Sequence, residues 1–164
     1  MTTEVNVLLN KKRYFYNRYS EEIVSDDLIN YIYHESIGSN FKNKVKINIK
    51  CNFEVTEEEK EKMMSMIRNN FKKQVQEELY SYEKEQDRKG ILLALGIALL
   101  ILYYTNFTSI LKDVMLIVGW ISVCSSIYGL IFSSTKSYVD INRLKNLSKS
   151  RIYFEWYYEK ISGK

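Results

Sequence analysis

Residues 11–19 interleave basic and aromatic side chains in one short stretch. Cations can pair with phosphates and rings can stack on bases, and together they are the ingredients of nucleotide or single-stranded nucleic acid binding. We therefore predict that this stretch binds a nucleotide or a single-stranded oligonucleotide. The predicted ligand-binding residues are Lys11, Lys12, Arg13, Tyr14, Tyr16 and Arg18. The alternative is a packed, partly solvated turn without a ligand.

Side chains that carry out catalysis are sparse in this chain. The single histidine, His34, has no motif around it, and the two cysteines, Cys51 and Cys124, lack the spacing of metal ligands. The sequence has neither a glycine loop that would cradle a phosphate nor a nucleophile elbow. These observations argue against an enzyme and predict neither a cofactor nor a metal site.

Small residues recur along one face of an apolar stretch near the C-terminal end. The stripe consists of Gly119, Ser122, Ser126, Gly129 and Ser133. Spacings of three and four residues place all of them on one side of a helix. Small residues let transmembrane helices approach closely, and serines can hydrogen-bond across the contact. The stripe therefore either packs within the chain or faces other copies or a narrow aqueous path.

The stripe lies in the second of two long stretches that contain no charged residue. No charged residue occurs from Gly90 to Leu111 or from Val114 to Thr135. An α-helix needs about 20 apolar residues to cross about 30 Å of hydrocarbon. We predict a transmembrane helical hairpin with spans over about 90–108 and 114–135. The alternative is two core helices of a soluble domain, which a domain this small could hardly surround.

A second, shorter ladder of small residues lies in the first predicted span, at Gly90, Ala94 and Ala98, and within one hairpin the two small-residue faces would pack against each other. Basic residues precede the first span and follow the second, whereas the turn offers only Lys112. By the positive-inside rule, both termini are expected in the cytosol, with a short turn on the far side of the membrane. Unpaired cysteines also suit a reducing compartment.

The rest of the chain predicts an α+β fold. The expected order is a strand over Val5–Leu9, a helix from about Ser25 to Gly38, a strand over Lys44–Phe53 and a helix from about Thr56 to about Tyr104. Apolar residues alternate along the second strand, and Thr56 with Glu59 forms a capping box at the start of the long helix. This strand–helix–strand–helix order predicts a small cytosolic domain whose last helix continues into the first span.

Three segments follow from these patterns. Residues 1–89 are predicted to form the cytosolic α+β domain with the long helix, residues 90–135 the transmembrane hairpin, and residues 136–164 a cytosolic tail. The tail is basic and rich in rings, including Tyr153 and Trp156. Such a segment next to a membrane typically forms a helix in the interface, with its cations toward anionic lipid.

The order of landmarks resembles a group of small bacterial two-span membrane proteins of unsettled function. The resemblance is carried by Phe15-Tyr16-Asn17, by the acidic helix from Ser25 to Ile32, by Ile67-Arg68-Asn69-Asn70-Phe71 and by Gly119-Trp120. The chain departs from the group in lacking a proline- and tryptophan-rich exit from the second span. The layout is also similar to membrane effectors of phage-defence systems, which pair a two-span hairpin with a small cytosolic sensor. The resemblance implies the architecture and transfers no activity or site residue.

Two functional hypotheses remain open. The first is an oligomeric inner-membrane channel or pore, gated through its cytosolic domain by a nucleotide or oligonucleotide, as in antiviral defence. The second is a non-conducting membrane adaptor that recruits a cytosolic protein partner. The expected partners are the lipid bilayer, further copies of the chain, the nucleotide signal and, for the adaptor, that protein partner.

Overall fold

The computed structural model describes residues 2–38, 40–104 and 109–156. The elements in chain order are β1 (Thr2–Leu9), β2 (Tyr16–Asn17), β3 (Ser20–Val24), α1 (Asp26–Ile37), β4 (Lys44–Cys51), α2 (Glu57–Tyr103), α3 (Ser109–Ser148) and β5 (Arg151–Trp156). The chain is therefore α+β, as predicted. It divides into two compact units, the first comprising Met1–Gln76 with Asp140–Lys164 and the second Glu77–Val139.

A three-stranded parallel sheet forms the first unit, with β4 between β1 and β5. Buried and exposed side chains alternate along β1, and Val45, Ile47 and Ile49 on β4 are buried. Three helical segments contribute further side chains to the core. Their fully or largely buried side chains are Leu28, Ile29 and Ile32 of α1, Met63, Ile67 and Phe71 of α2, and Ile141, Leu144 and Leu147 of α3.

The predicted strands and helices of the N-terminal part are confirmed by β1, α1, β4 and α2. The capping box at the start of α2 also forms. The Glu59 amide donates to Thr56 Oγ1 at 3.3 Å, and the Thr56 amide donates to the Glu59 carboxylate at 3.3 Å. Two of the donors that a helix start leaves without an intrahelical partner are thereby satisfied. The short hairpin of β2 and β3 was not predicted.

The prediction of a helical C-terminal tail is wrong over Arg151–Trp156, because this segment forms β5. Ile152 pairs with Ile47 and Phe154 with Ile49 in the parallel register. Ile152 is buried whereas Tyr153 is exposed, so the segment follows the two-residue period of a strand. Branched and aromatic side chains fit such a half-buried pleated surface. The remainder of the predicted tail, residues 157–164, lies outside the described residues.

In the second unit the end of α2 packs against α3 at two glycines. A Cβ placed on Gly96 would lie 3.1 Å from the Gly119 carbonyl oxygen and 3.0 Å from the Ser122 Cβ. The predicted ladder of small residues in the first span does not form this contact. Gly90 has open space where its Cβ would be, and Ala94 and Ala98 are exposed.

Among the described residues, one helical segment is long and apolar enough to cross a membrane, Leu111–Ser148 of α3, with a mean hydropathy of 2.1 in its apolar window. The charge-free end of α2 from Gly90 to Tyr103 covers only about 20 Å at about 1.5 Å per residue, short of the roughly 30 Å of a bilayer core. The rest of the predicted first span, residues 105–108, lies outside the described residues. The structure thus supplies one candidate span, and the two-span hairpin remains a prediction.

Candidate functional site

A buried phenylalanine organises the basic and aromatic stretch. Lys12–Tyr14 forms a single 3-10 turn, and Phe15, directly after it, is fully buried. The Ser25 amide donates to the Phe15 carbonyl at 2.8 Å, which fixes this point against the start of α1. Because Phe15 occupies the core, its neighbours Tyr14 and Tyr16 remain at least partly exposed.

The next element is the hairpin of β2 and β3, whose turn is exposed to solvent. Its turn is stabilised by Asn17, whose Oδ1 accepts from the Tyr19 amide at 3.0 Å. Ser20 Oγ accepts from the Glu22 amide at 3.2 Å. Both side chains replace backbone hydrogen bonds, as Asx and Ser turns do. Arg18 and Tyr19 are consequently exposed at the turn.

These segments and α1 enclose an open cleft of about 1080 Å³ in the first unit. Its polar and aromatic lining includes Arg13, Tyr14, Tyr16, Arg18, Tyr19, Glu21, Asp27 and Tyr31. The two guanidinium groups offer bidentate donors to a phosphate or carboxylate. Tyrosine rings offer faces on which a planar base can stack. The two carboxylates can accept hydrogen bonds from amino or hydroxyl groups.

Arg13 and Tyr14 form a local pair at the edge of the cleft. The Arg13 guanidinium carbon lies 5.2 Å from the centre of the Tyr14 ring, a cation–π distance. A hydrogen bond with Arg13 lowers the pKa of the Tyr14 hydroxyl, and the positive charges of Arg13 and Lys11 add to this effect. Arg13 and Lys11 thus place positive charge at this edge of the cleft, whereas Glu21 and Asp27 balance the two arginines over its whole lining.

Four of the six predicted ligand residues line this cleft, namely Arg13, Tyr14, Tyr16 and Arg18. The other two, Lys11 and Lys12, do not line it, and the ligand-binding role of all six residues stays a prediction. The Lys12 ammonium instead pairs with the Glu59 carboxylate. This hydrogen bond raises the pKa of Lys12 and lowers that of Glu59.

Sequence reasoning missed the contribution of α1 to the cleft. Asp27 and Tyr31 both line it, and the Tyr31 hydroxyl donates to the Asn6 carbonyl at 3.2 Å. A spacing of four residues puts these two side chains on one face of a helix. That spacing was available in the sequence, but nothing local showed that this face lies against residues 13–18.

The small-residue stripe of α3 faces α2 within the same chain. Gly119 lies against Gly96, and Ser126 is fully buried, its hydroxyl donating to the Ser122 carbonyl at 2.7 Å. The Lys89 ammonium donates to the Gly129 carbonyl at 3.1 Å. The side chain of the fifth predicted member, Ser133, lies outside the described residues. Helix packing thus occupies the described members of the stripe, and their predicted pore-lining role remains a prediction.

Among the residues that the structure describes, no group of three or more His, Cys, Asp or Glu side chains could hold a metal ion. No family model, no curated protein and no solved structure matches the chain.

Proposed function

We propose that the chain is a membrane-anchored binding protein whose first unit takes up a nucleotide-like ligand, an anion that carries a planar ring. The observation that carries the proposal is the convergence of two arginines and four tyrosines on one cleft. Arg13 and Arg18 would pair with the phosphate, and a tyrosine ring would stack on the base. Asp27 would accept a hydrogen bond from a sugar hydroxyl or a base amino group.

The pairing of β4 with β5 limits how the chain can cross a membrane. β4 and β5 are hydrogen-bonded neighbours, so residues 44–51 and 151–156 must lie on the same side of any membrane. If α3 crosses the bilayer between them, the chain must cross a second time. The only other long charge-free stretch between β4 and β5 is the one that begins at Gly90. We therefore infer two crossings, and the distribution of Lys and Arg favours a cytosolic location for both termini. The bacterial inner membrane is proposed from the resemblance in layout to bacterial two-span proteins.

The contacts of the stripe bear on the output of ligand binding. A channel would need Ser122 or Ser126 to face a path between copies, whereas their side of α3 is in contact with α2. We therefore favour an adaptor that presents its ligand-bound unit to a cytosolic protein. Single-channel currents from the purified protein in a planar bilayer would overturn this preference in favour of the oligomeric channel.

Ligand binding is tested on the detergent-purified full chain by isothermal titration calorimetry with mononucleotides, cyclic dinucleotides and short single-stranded DNA. Arg18→Gln should weaken binding of the best ligand at least about tenfold, since a charged hydrogen bond contributes about 1.5–3 kcal/mol. Lys11→Gln is the matched control. It also removes one positive charge, a few residues earlier in the chain, from a side chain that does not line the cleft.

Two results would contradict the proposal. One is the absence of binding by every compound in the panel. The other is an equal loss of affinity in Arg18→Gln and Lys11→Gln, because general attraction to a basic segment, rather than this cleft, would then account for binding.

A further inference from the structure

A second cleft, of about 500 Å³, lies within the second unit between α2 and α3. Its polar lining is contributed mainly by one stretch of α2 and by the serines of α3. The residues that matter here are Ser81, Lys84, Glu85, Arg88, Lys89 and Ser125. No other site described above uses Ser81, Lys84, Arg88 or Ser125.

The cleft has an excess of positive charge. Three cations and one carboxylate line it, which gives a net charge of 3 − 1 = +2. Lys89 is engaged, because its ammonium pairs with Glu85 at 2.7 Å and donates to the Gly129 carbonyl. Lys84 and Arg88 are exposed, and no carboxylate of the described residues lies within ion-pair distance of either. They are four residues apart and therefore share one helix face.

The helix register places these cations at a defined level along α3. Gly96 lies against Gly119, and Lys89 lies against Gly129, so the two helices run antiparallel. The charged stretch of α2 that ends at Lys89 consequently lies beside the C-terminal end of the charge-free stretch of α3. At this level Tyr128 and Phe132 are exposed and stack with ring centres 4.5 Å apart. Exposed aromatic rings are typical of the headgroup level of a membrane.

We propose that this cleft binds the phosphate of an anionic phospholipid headgroup, an inference that rests on the proposed membrane anchoring. The Arg88 guanidinium would hold the phosphate in a bidentate contact, with Lys84 as the second cation. The hydroxyls of Ser81 and Ser125 would supply neutral donors. Leu92 also lines the cleft, next to the cations. That apolar wall favours a lipid with acyl chains over a free phosphate ion, as basic pockets between spans do at the cytoplasmic face.

The test uses the full chain, delipidated in a neutral detergent and offered equal amounts of phosphatidylglycerol and phosphatidylcholine. Native mass spectrometry counts the lipid that the protein retains. The wild type should retain phosphatidylglycerol with at least about fivefold preference, and Lys84→Gln with Arg88→Gln should abolish that preference. Lys84→Arg should keep it, because the positive charge remains.

The matched control is Lys62→Gln with Lys72→Gln, which removes two charges from exposed positions of α2 outside the cleft. This variant should behave like the wild type. An equal loss in the control, or unchanged preference in the cleft variant, overturns the site. Complete competition by millimolar inorganic phosphate overturns the lipid as its ligand.

Flotation of the same proteins with liposomes separates this inference from the anchor. If the wild type and the cleft variant both float but neither prefers phosphatidylglycerol, only the headgroup site fails. If neither floats, the anchor fails and the headgroup site fails with it.

Discussion

The ion pair of Lys12 and Glu59 links the basic and aromatic segment, residues 11–19, to the start of α2. The two residues are 47 positions apart in sequence, and both are partly exposed. Glu59 also accepts from the Thr56 amide, so one carboxylate serves the capping box and the tertiary contact together. The 3-10 turn that carries Arg13 into the cleft is thereby held against a helix terminus.

This pair predicts a specific pH dependence of stability. The hydrogen bond with Lys12 lowers the pKa of Glu59, and that with Thr56 adds to this effect. The stabilisation is therefore present above the ordinary glutamate pKa of about 4.3 and is lost as the pH falls through the lower folded-state value. Glu59→Gln should lower the melting temperature at pH 7 and flatten its decrease below about pH 4, as measured by circular dichroism.

The control for this prediction is Glu58→Gln, which removes a neighbouring carboxylate that makes no ion pair among the described residues. It should leave the melting curve close to that of the wild type at both pH values. A similar effect of both substitutions would mean that the general charge of the helix N-terminus, and not the contact with Lys12, is responsible.

At the scale of single residues, the sequence predicted part of the cleft. The density of rings and cations in residues 11–19 was sufficient to identify Arg13, Tyr14, Tyr16 and Arg18. The role of Lys12 could not be read from that stretch, because its partner Glu59 is brought near only by the tertiary fold. The burial of Phe15 could not be predicted either. Aromatic residues flank it on both sides, and the local sequence does not indicate which of these rings enters the core.

At the scale of elements, α2 and α3 approach each other closely at the level of the backbone where two glycines meet. Gly96 and Gly119 face each other, so that each glycine leaves room for the backbone of the other helix. Contacts of this kind are stabilised by dispersion over a tightly fitting surface. A Cβ at either position would meet neighbouring atoms at 3.0–3.1 Å, so those atoms must shift by a few tenths of an ångström to admit it.

Gly96→Ala should therefore destabilise the helix pair, by about 1–3 kcal/mol as for other overpacked sites. The added methyl group would meet a backbone oxygen, the Gly119 carbonyl, at 3.1 Å. Gly90→Ala is the control, since nothing lies within 4 Å of its new Cβ and alanine favours a helix by up to about 1 kcal/mol. Thermal unfolding of the second unit in micelles checks the difference, and equal stability of the two variants would contradict the contact.

Elements could be predicted from the sequence where the pattern that identifies them lies within a single short segment. The alternation along β4 and the capping box of α2 are local, and both were identified. The contact face of α2 was missed because the spacing of Gly90, Ala94 and Ala98 defines a face but not its neighbour. β5 was missed for a different reason. Its rings and cations match an interfacial helix, and only the alternation of Ile152 and Phe154 with exposed residues marks the strand.

At the scale of the whole molecule, the placement of β5 constrains the membrane topology. Residues from both ends of the chain belong to the first unit, and the second unit, Glu77–Val139, is the segment between them. Any crossings that the second unit makes through a membrane must therefore be even in number. Composition alone predicted two spans from the absence of charge, whereas the strand pairing provides an independent reason for an even number of crossings.

Cysteine labelling tests this topology. Asp113→Cys places a thiol at an exposed position near the start of α3, and Lys149→Cys places one at an exposed position just before β5. Cys124→Ser provides the background. Cys51 can remain, because it is buried and burial raises the pKa of its thiol, which leaves little reactive thiolate.

In intact spheroplasts a membrane-impermeant maleimide should label Asp113→Cys, and it should label Lys149→Cys only after lysis. This result follows from two crossings with the basic flanks in the cytosol. Labelling of only Lys149→Cys before lysis would keep the hairpin but invert it. Labelling of both, or of neither, in intact spheroplasts would place the start of α3 on the same side as the sheet. The second unit would then not cross the bilayer, and the cleft with Lys84 and Arg88 would need a ligand other than a membrane lipid.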